Sequence, residues 1–238
     1  MYNNYIFDLY GTLVDINTNE SKRYLWEKIA DFYGFYGAKY TPTELRKEYI
    51  ELCKAEGEKL KDVEWAEIQL EYVFLDLFKK KGIDPSMDLA IHVGQMFRII
   101  STKYLKLYDG VIDLLENLKK KNKKIYLLSN AQEIFTIPEM KYLGIYNYFD
   151  GIVISSSENC KKPDPKFYEI VINRYNLNKD ESIMIGNDYI TDIKGAHDSG
   201  LKSLYIHSNL SPEIKGELLS NYSIMDGDFN KVSKLILK

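Results

Sequence analysis

Cysteine is scarce. Cys53 and Cys160 are the only two in 238 residues, too few and too separated for a disulfide framework or a cysteine-ligated zinc site, which favours a reducing compartment, by default the cytoplasm. No run of about 18 apolar residues occurs, so no membrane-spanning helix is expected. The opening MYNNYIFDL has no basic segment followed by an apolar one, and export is not expected either. Charge of one sign is also missing: 32 basic against 35 acidic residues leave a net −3. Without a basic field, neither nucleic acid nor an anionic lipid surface is an expected partner. The lysine runs at 79–81 and 119–124 read as solvated helix ends, where cations suit the dipole.

What is present suffices for a substantial core. Hydrophobic residues make up 45% of the chain, and this length holds one large domain or two modest ones. After residue 105 strand and helix signals alternate: apolar or β-prone runs at 124–128, 151–155, 182–185 and 202–206, with helical patterns near 110–121, 164–175 and 190–199. Short apolar strands separated by helices predict a parallel sheet covered on both faces, the doubly wound α/β class, with ligands bound beyond the carboxyl ends of the strands.

Residues 16–103 read differently, as helices with no strand run. Thr41-Pro42-Thr43-Glu44 has the form of a capping box with proline at the first helical position. Trp65, Ile68, Tyr72, Leu75 and Phe78 recur at helical spacing, and Gly82 and Pro85 supply the stop. The expected organisation is an α/β core of residues 1–15 and 104–238 interrupted by a helical unit, 16–103.

Polar residues follow the strand signals one after another. "FDLYGTLVD" places Asp8 and Thr12 after the first; "LLSNA" gives Ser129 and Asn130 after the second; "KKPDP" sets Lys162 beyond the third; "IGNDYITD" closes the fourth with Asp188 and Asp192. In a parallel sheet these ends converge. Asp8 is then a candidate nucleophile, able to split one hard displacement into two easier ones through a covalent intermediate. Thr12 and Ser129 can donate hydrogen bonds to substrate oxygens, and Lys162 can offset negative charge.

In this order the residues resemble the signature of the haloacid dehalogenase superfamily. Asp8 and Thr12 match its first motif, Ser129 its second, Lys162 before Pro163 its third, and Asp188 and Asp192 its acidic fourth. The resemblance implies a Rossmann-like core, with the insertion after the first motif as a helical cap. It assigns Asp8 and Lys162 to catalysis, and Thr12, Ser129 and Asn130 to the substrate. It further implies a Mg²⁺ site built from Asp8, the backbone carbonyl of Tyr10, Asp188 and Asp192.

Two features pull apart. The family's phosphatases usually carry a second aspartate two residues after the nucleophile, to protonate the leaving group and activate water. Tyr10 stands there instead, and a phenol with pKa near 10 is a poor base at neutral pH. The sequence aspartate-x-tyrosine-glycine-threonine resembles the opening of the metal-independent 2-haloacid dehalogenases, whose halide leaving group needs no proton, and Lys162 with Tyr168 resembles a pairing found there. The acidic fourth motif points the other way. Asp8, Asp188 and Asp192 set three negative charges against Lys162, and each unscreened pair about 4 Å apart costs on the order of 4 kcal/mol at an effective dielectric of 20. A divalent cation relieves that repulsion, and Mg²⁺ suits such oxygen ligands. The expected function is therefore a Mg²⁺-dependent phosphohydrolase acting on a small phosphorylated metabolite through an aspartyl-phosphate. A metal-independent 2-haloacid dehalogenase and a weakly active phospholigand-binding protein are the alternatives. Three details stay open: Gly186 precedes Asn187, which shifts Asp188 into a neighbouring slot; Asn159 stands where glycine is common; and Lys39 and Arg46 of the cap are candidate anion contacts or solvated surface charges.

Overall fold

The computed structural model describes residues 2–237. The chain opens with β1 (Asn4–Phe7) and β2 (Val14–Thr18), passes through four helices, α1 (Arg23–Phe35), α2 (Pro42–Lys59), α3 (Leu70–Lys79) and α4 (Met87–Ser101), and returns in β3 (Thr102–Leu107). It then alternates: α5 (Val111–Lys120), β4 (Lys124–Ser129), α6 (Glu133–Tyr142), β5 (Gly151–Ile154), α7 (Ser155–Glu158), α8 (Pro165–Arg174), β6 (Ser182–Gly186), α9 (Gly195–Asp198), β7 (Lys202–Ile206), β8 (Tyr222–Ile224) and α10 (Phe229–Ile236).

The doubly wound α/β class is present as a six-stranded sheet in the order β5-β4-β1-β6-β7-β8, every pair parallel. Residues of β1 alternate between two cores. Tyr5 and Phe7 join the cluster under α5 and α10, while Ile6 joins the one under α8. That burial on both faces is why the strand reads as an unbroken apolar run. No helix among the described residues is long and apolar enough to cross a membrane.

The inserted helices have their own core, rich in aromatic rings: Trp26, Tyr33, Tyr49, Phe74, Phe78 and Phe97. Ile134 and Phe135 of α6 belong to this cluster too, so α6 packs on the inserted helices. The capping box at α2 is present, Thr41 and Glu44 exchanging bonds with Pro42 in the first turn. Lys79 and Lys119 lie in the last turns of their helices, as expected.

Elsewhere the structure corrects the sequence reading. The segment 16–103 is not free of strand: β2 and β3 pair antiparallel, Val14 with Leu107 through Thr18 with Thr102. Their alternating, largely polar residues carry no apolar run to announce them. The predicted stripe from Trp65 to Phe78 begins as helix only at Leu70. Trp65 lies in a preceding loop that docks on the core, where its carbonyl accepts from Lys161 N–H at 2.9 Å. The helix predicted near 190–199 is a wide π-type turn, Tyr189–Lys194, running into the short α9. Helix α6, which holds Pro138, and the final β8–α10 pair lay outside the expected elements.

Candidate active site

Beside β1 the strand order reverses, β4 and β5 lying to one side and β6 to β8 on the other. This is the crevice where open α/β sheets bind ligands, and Asp8 occupies it. Its N–H donates to the Ile185 carbonyl at 3.0 Å. The turn that follows is gathered on one acceptor: the Leu9 carbonyl takes the N–H groups of Thr12, Leu13 and Val14 at 3.2, 2.8 and 2.9 Å. Tyr10's carbonyl is left out of that ladder. Glycine at 11 is required twice over, by a φ of +85° and by a Cβ position only 2.4 Å from the Asn187 amide nitrogen.

Lys162 is buried at 1% exposure and uses all three ammonium protons: on Asp8 Oδ1 at 2.7 Å, Asp192 Oδ1 at 2.7 Å and the Leu128 carbonyl at 2.8 Å. Burial works against its charge, but Asp192 and Asp8 outweigh burial and hold its pKa above the ordinary lysine value. Asp192 behaves oppositely. Burial pushes it up to about 7, only partly opposed by Lys162 and reinforced by Asp8. The count adds to burial here, since Lys162 has two anionic partners while Asp192 shares its one cation and faces Asp8.

Thr12 Oγ1 stands 3.1 Å from Asp8 Oδ2, and Ser129 Oγ reaches Asp8 Oδ1 at 3.4 Å. Asn130, expected to bind substrate, is spent on the protein itself: its Oδ1 accepts from Lys162 N–H at 2.8 Å and its Nδ2 donates to the Lys162 carbonyl at 2.9 Å. It acts as a clasp that sets the lysine. Lys39 and Arg46 are exposed on the cap.

The two predicted carboxylates of the fourth motif have different places. Asp192 is buried on Lys162, and its Oδ2 also accepts from Asp188 N–H at 2.9 Å. Asp188 caps the following turn, Oδ1 accepting from Ile190 and Thr191 N–H at 2.8 and 3.0 Å. The side chain of this segment that meets Thr12 is Asn187, its Oδ1 3.1 Å from Thr12 Oγ1. The repulsion expected of three carboxylates against one lysine is therefore reduced: two share Lys162, and the third rests on turn amides. Tyr168 supports the same loop from behind, its buried hydroxyl 2.5 Å from the Thr191 carbonyl. Asn159 adopts the left-handed conformation at φ 55°.

Tyr10 points its phenol away from this cluster. The hydroxyl donates to Glu139 Oε2 of α6 and lies 3.2 Å from Thr136 Oγ1. Glu139 is in turn gripped by Arg98 of α4, Nε to Oε1 at 2.6 Å and Nη2 to Oε2 at 3.3 Å. The Arg98 guanidinium also lies over the Tyr10 ring, 5.4 Å from its centroid. Burial first, then the Glu139 charge, holds the phenol pKa well above its ordinary value, so the ring keeps its proton. The sequence reading missed Glu139 and Arg98. Only their charge within otherwise apolar helix faces could have flagged them, and nothing local tied them to Tyr10.

Among the described residues no group of three or more His, Cys, Asp or Glu side chains gathers to hold a metal ion. The oxygens on offer here are mixed: the Asp8 carboxylate, the Tyr10 carbonyl left out of its turn, and the Asn187 amide oxygen, set against the hydroxyl that also meets Asp8. A donor set of one carboxylate and neutral oxygens suits Mg²⁺, which keeps several waters and uses few protein carboxylates.

The chain is 28% identical over 124 residues to glyceraldehyde 3-phosphate phosphatase of Methanothermobacter thermautotrophicus, covering 52% of this chain and 55% of that one. It thus spans about half the length of the first curated relatives that it matches. A phosphorylated carbohydrates phosphatase of Thermotoga maritima is 26% identical over 205 residues, 85% of either chain. Among solved structures, a putative HAD-hydrolase YfnB of Bacillus subtilis, bound to magnesium, superposes with a TM-score of 0.59 at 17% identity, covering 99% and 98% of the two chains. A 2-haloacid dehalogenase of Pseudomonas syringae does so at 0.64 and 18%, covering 94% of each. At such identities these structures share the fold. A family model for the haloacid dehalogenase-like hydrolases matches residues 2–200, and with its signature residues assembled around Asp8 the chain belongs to that family of hydrolases.

Proposed function

We propose that the protein is a Mg²⁺-dependent phosphohydrolase that cleaves a small phosphorylated metabolite through an aspartyl-phosphate on Asp8. The observation that carries the reading is the setting of Asp8. A carboxylate at the sheet's switch point is fixed by Lys162 at 2.7 Å and flanked by the hydroxyls of Thr12 and Ser129. The names of the relatives reported above, which include phosphatases for phosphorylated trioses and carbohydrates, favour phosphoryl over halide chemistry. In this reading residues 1–15 and 104–238 form the catalytic core, and 16–103 form the cap that covers the site and selects the leaving group. The setting would be the cytoplasm, in keeping with free Cys53 and Cys160.

In the first step an Asp8 oxygen attacks phosphorus and the bond to the leaving-group oxygen breaks, that oxygen taking a proton from water. In the second, water attacks the same phosphorus, inorganic phosphate departs and the Asp8 carboxylate is restored. Lys162 holds and aims Asp8, while Thr12 and Ser129 stand ready to donate to phosphoryl oxygens. Asp8, the Tyr10 carbonyl and Asn187, with Asp188 and Asp192 behind them, would hold Mg²⁺, which when bound neutralises charge on the phosphoryl group. Tyr10 offers no carboxylate for proton transfer, so turnover is expected to favour substrates whose leaving groups need little protonation.

The test is a screen of phosphorylated metabolites with and without Mg²⁺, followed by mass analysis of acid-quenched enzyme for phosphate on Asp8. Hydrolysis that needs Mg²⁺ and fails in Asp8→Asn supports the reading. A second reading, a metal-independent 2-haloacid dehalogenase, draws on Tyr10 and on the neutral Asn187 beside the nucleophile. Halide release from a 2-haloacid in excess chelator would establish it and sink the first.

A further inference from the structure

We propose that Glu139 is a positioning residue for the nucleophile turn. Through Tyr10 it fixes the loop that carries Asp8, and through Arg98 it ties that loop to the cap. The role rests on the phosphatase reading for its kinetic consequence but not for its geometry. Both carboxylate oxygens of Glu139 are engaged, Oε1 by Arg98 and Oε2 by Tyr10 and Arg98 together. The group is only 9% exposed, and the Arg98 side chain is 17% exposed. A charged pair this enclosed holds one geometry, because moving either partner strands the other in a poorly hydrated place. Tyr10 is the third member, two residues from Asp8 and adjacent to Gly11, so a displaced phenol drags the turn with it.

Each member comes from a different part of the fold: Tyr10 from the turn after β1, Glu139 from α6, Arg98 from the last cap helix. Helix α6 is the natural anchor, since its Ile134 and Phe135 already lie in the cap's core. Arg98 sits one turn before the chain leaves α4 for β3. The network therefore ties the nucleophile turn to the point where the inserted helices rejoin the core.

The alternative is that Tyr10 and Glu139 relay a proton to the leaving group. The geometry opposes it, because the phenol proton is directed to Glu139 and away from Asp8. The two roles differ in kinetics. Misplacing a nucleophile slows attack on every substrate by the same factor, whereas losing a general acid hurts most when the leaving group is poor.

The experiment compares wild type with Glu139→Ala, Glu139→Gln and Tyr10→Phe on a series of aryl and alkyl phosphates. In parallel, hydrogen exchange is followed at the amides of residues 11–14, whose bonds define the turn. Glu139→Ala and Tyr10→Phe are expected to lower kcat about ten-fold or more with little change in KM, by one factor across the series. Turn amides should exchange faster in both. Glu139→Gln keeps one acceptor oxygen for Tyr10 but turns its NH2 towards Arg98, and should restore part of the rate lost in Glu139→Ala. Tyr10→Phe leaves the Glu139–Arg98 pair intact and so remains a folded variant should Glu139→Ala not be. A rate loss that grows with leaving-group pKa would replace positioning by a proton relay. Unchanged exchange at residues 11–14 in Tyr10→Phe would overturn the proposal outright. If wild type hydrolyses no phosphate ester, the phosphatase reading alone is lost and the exchange measurement still decides the clamp.

Discussion

Lys162 Nζ lies 2.7 Å from Asp8 Oδ1, with the two side chains 1% and 10% exposed. A cation so enclosed both orients Asp8 and keeps two carboxylates in one small volume. Asp8→Asn should retain the fold and lose all but a few per cent of turnover, because an amide is nearly isosteric and far less nucleophilic. Lys162→Met should do worse, leaving Asp8 and Asp192 with no cation between them. Breaking a buried pair in this way costs about 3–5 kcal/mol, measured by denaturant unfolding. A loss below about 1 kcal/mol, the worth of an exposed pair, would show that the lysine is not the site's keystone.

Mg²⁺ should raise the melting temperature in proportion to its binding, by an amount equivalent to about 2.7 kcal/mol at a hundred times Kd. Asn187→Asp places a carboxylate beside Thr12 and should strengthen that effect. Asp188→Asn keeps a good turn cap and should leave the effect nearly intact. The reverse order in calorimetry would move the ligand role from Asn187 back to Asp188.

Tyr10→Asp should restore proton transfer. General acid–base help is typically worth about 10²- to 10⁴-fold. The gain should be greatest on alkyl phosphates and small on aryl phosphates, and it should be cut short by loss of the clamp on the turn. Steady-state rates across the two classes check this. No gain on alkyl phosphates in a folded, Mg²⁺-binding variant would argue against the missing carboxylate as the limiting feature.

Gly186 is a sharper structural test. A Cβ there would lie 2.3 Å from Asp192 Cβ, Cγ and Oδ2. Gly186→Ala must push the carboxylate off Lys162 or bend β6, with overpacking costing about 1–3 kcal/mol. Activity should fall with stability. A variant of wild-type stability and rate would show that the loop carrying Asp192 moves freely.

Glu67 sits where the loop before α3 meets Lys161 and Gln132. Its carboxylate lies 3.5 Å from Lys161 Nζ and accepts from Gln132 Nε2 at 3.2 Å. Burial raises its pKa above the ordinary 4.5, outweighing Lys161. A raised carboxyl pKa means that the folded state binds the proton more tightly than the unfolded one. Its contribution is thus fully present in acid and is lost as pH rises from 4.5 through the folded value. Glu67→Gln should therefore gain stability relative to wild type at neutral pH, and the gain should vanish in acid. Unfolding curves at several pH values check the sign.

The core was legible because parallel strands buried on both faces announce themselves as apolar runs, and Asp8, Ser129 and Lys162 stand just where those runs stop. Asp192 was legible by spacing. Asn130 was found, but its clasp on the Lys162 backbone was not legible, since a strand-end amide reads as a substrate contact whether or not a neighbouring backbone has claimed it. The Tyr10 network was not legible at all. Tyr10 and Glu139 are 129 residues apart, and only the packing of α4 on α6 brings Arg98 to them. The β2–β3 ribbon escaped because its core face is short, Val14, Ile16, Leu105 and Leu107 alternating with polar residues, too few to stand out as an apolar run.

That ribbon has a consequence for how the chain can be altered. Because Val14–Thr18 pairs with Thr102–Leu107, the chain leaves and rejoins the core at neighbouring points, and the insertion is a loop tied at its neck. Closure entropy depends only weakly on what the loop contains, a doubling of length costing about 0.6 kcal/mol. The insertion can therefore change in length at little entropic cost while the strand order around Asp8 stays as it is. What it must keep is Arg98 opposite Glu139 and the surface that buries Ile134 and Phe135, so the freedom to vary lies in the helices farthest from that neck.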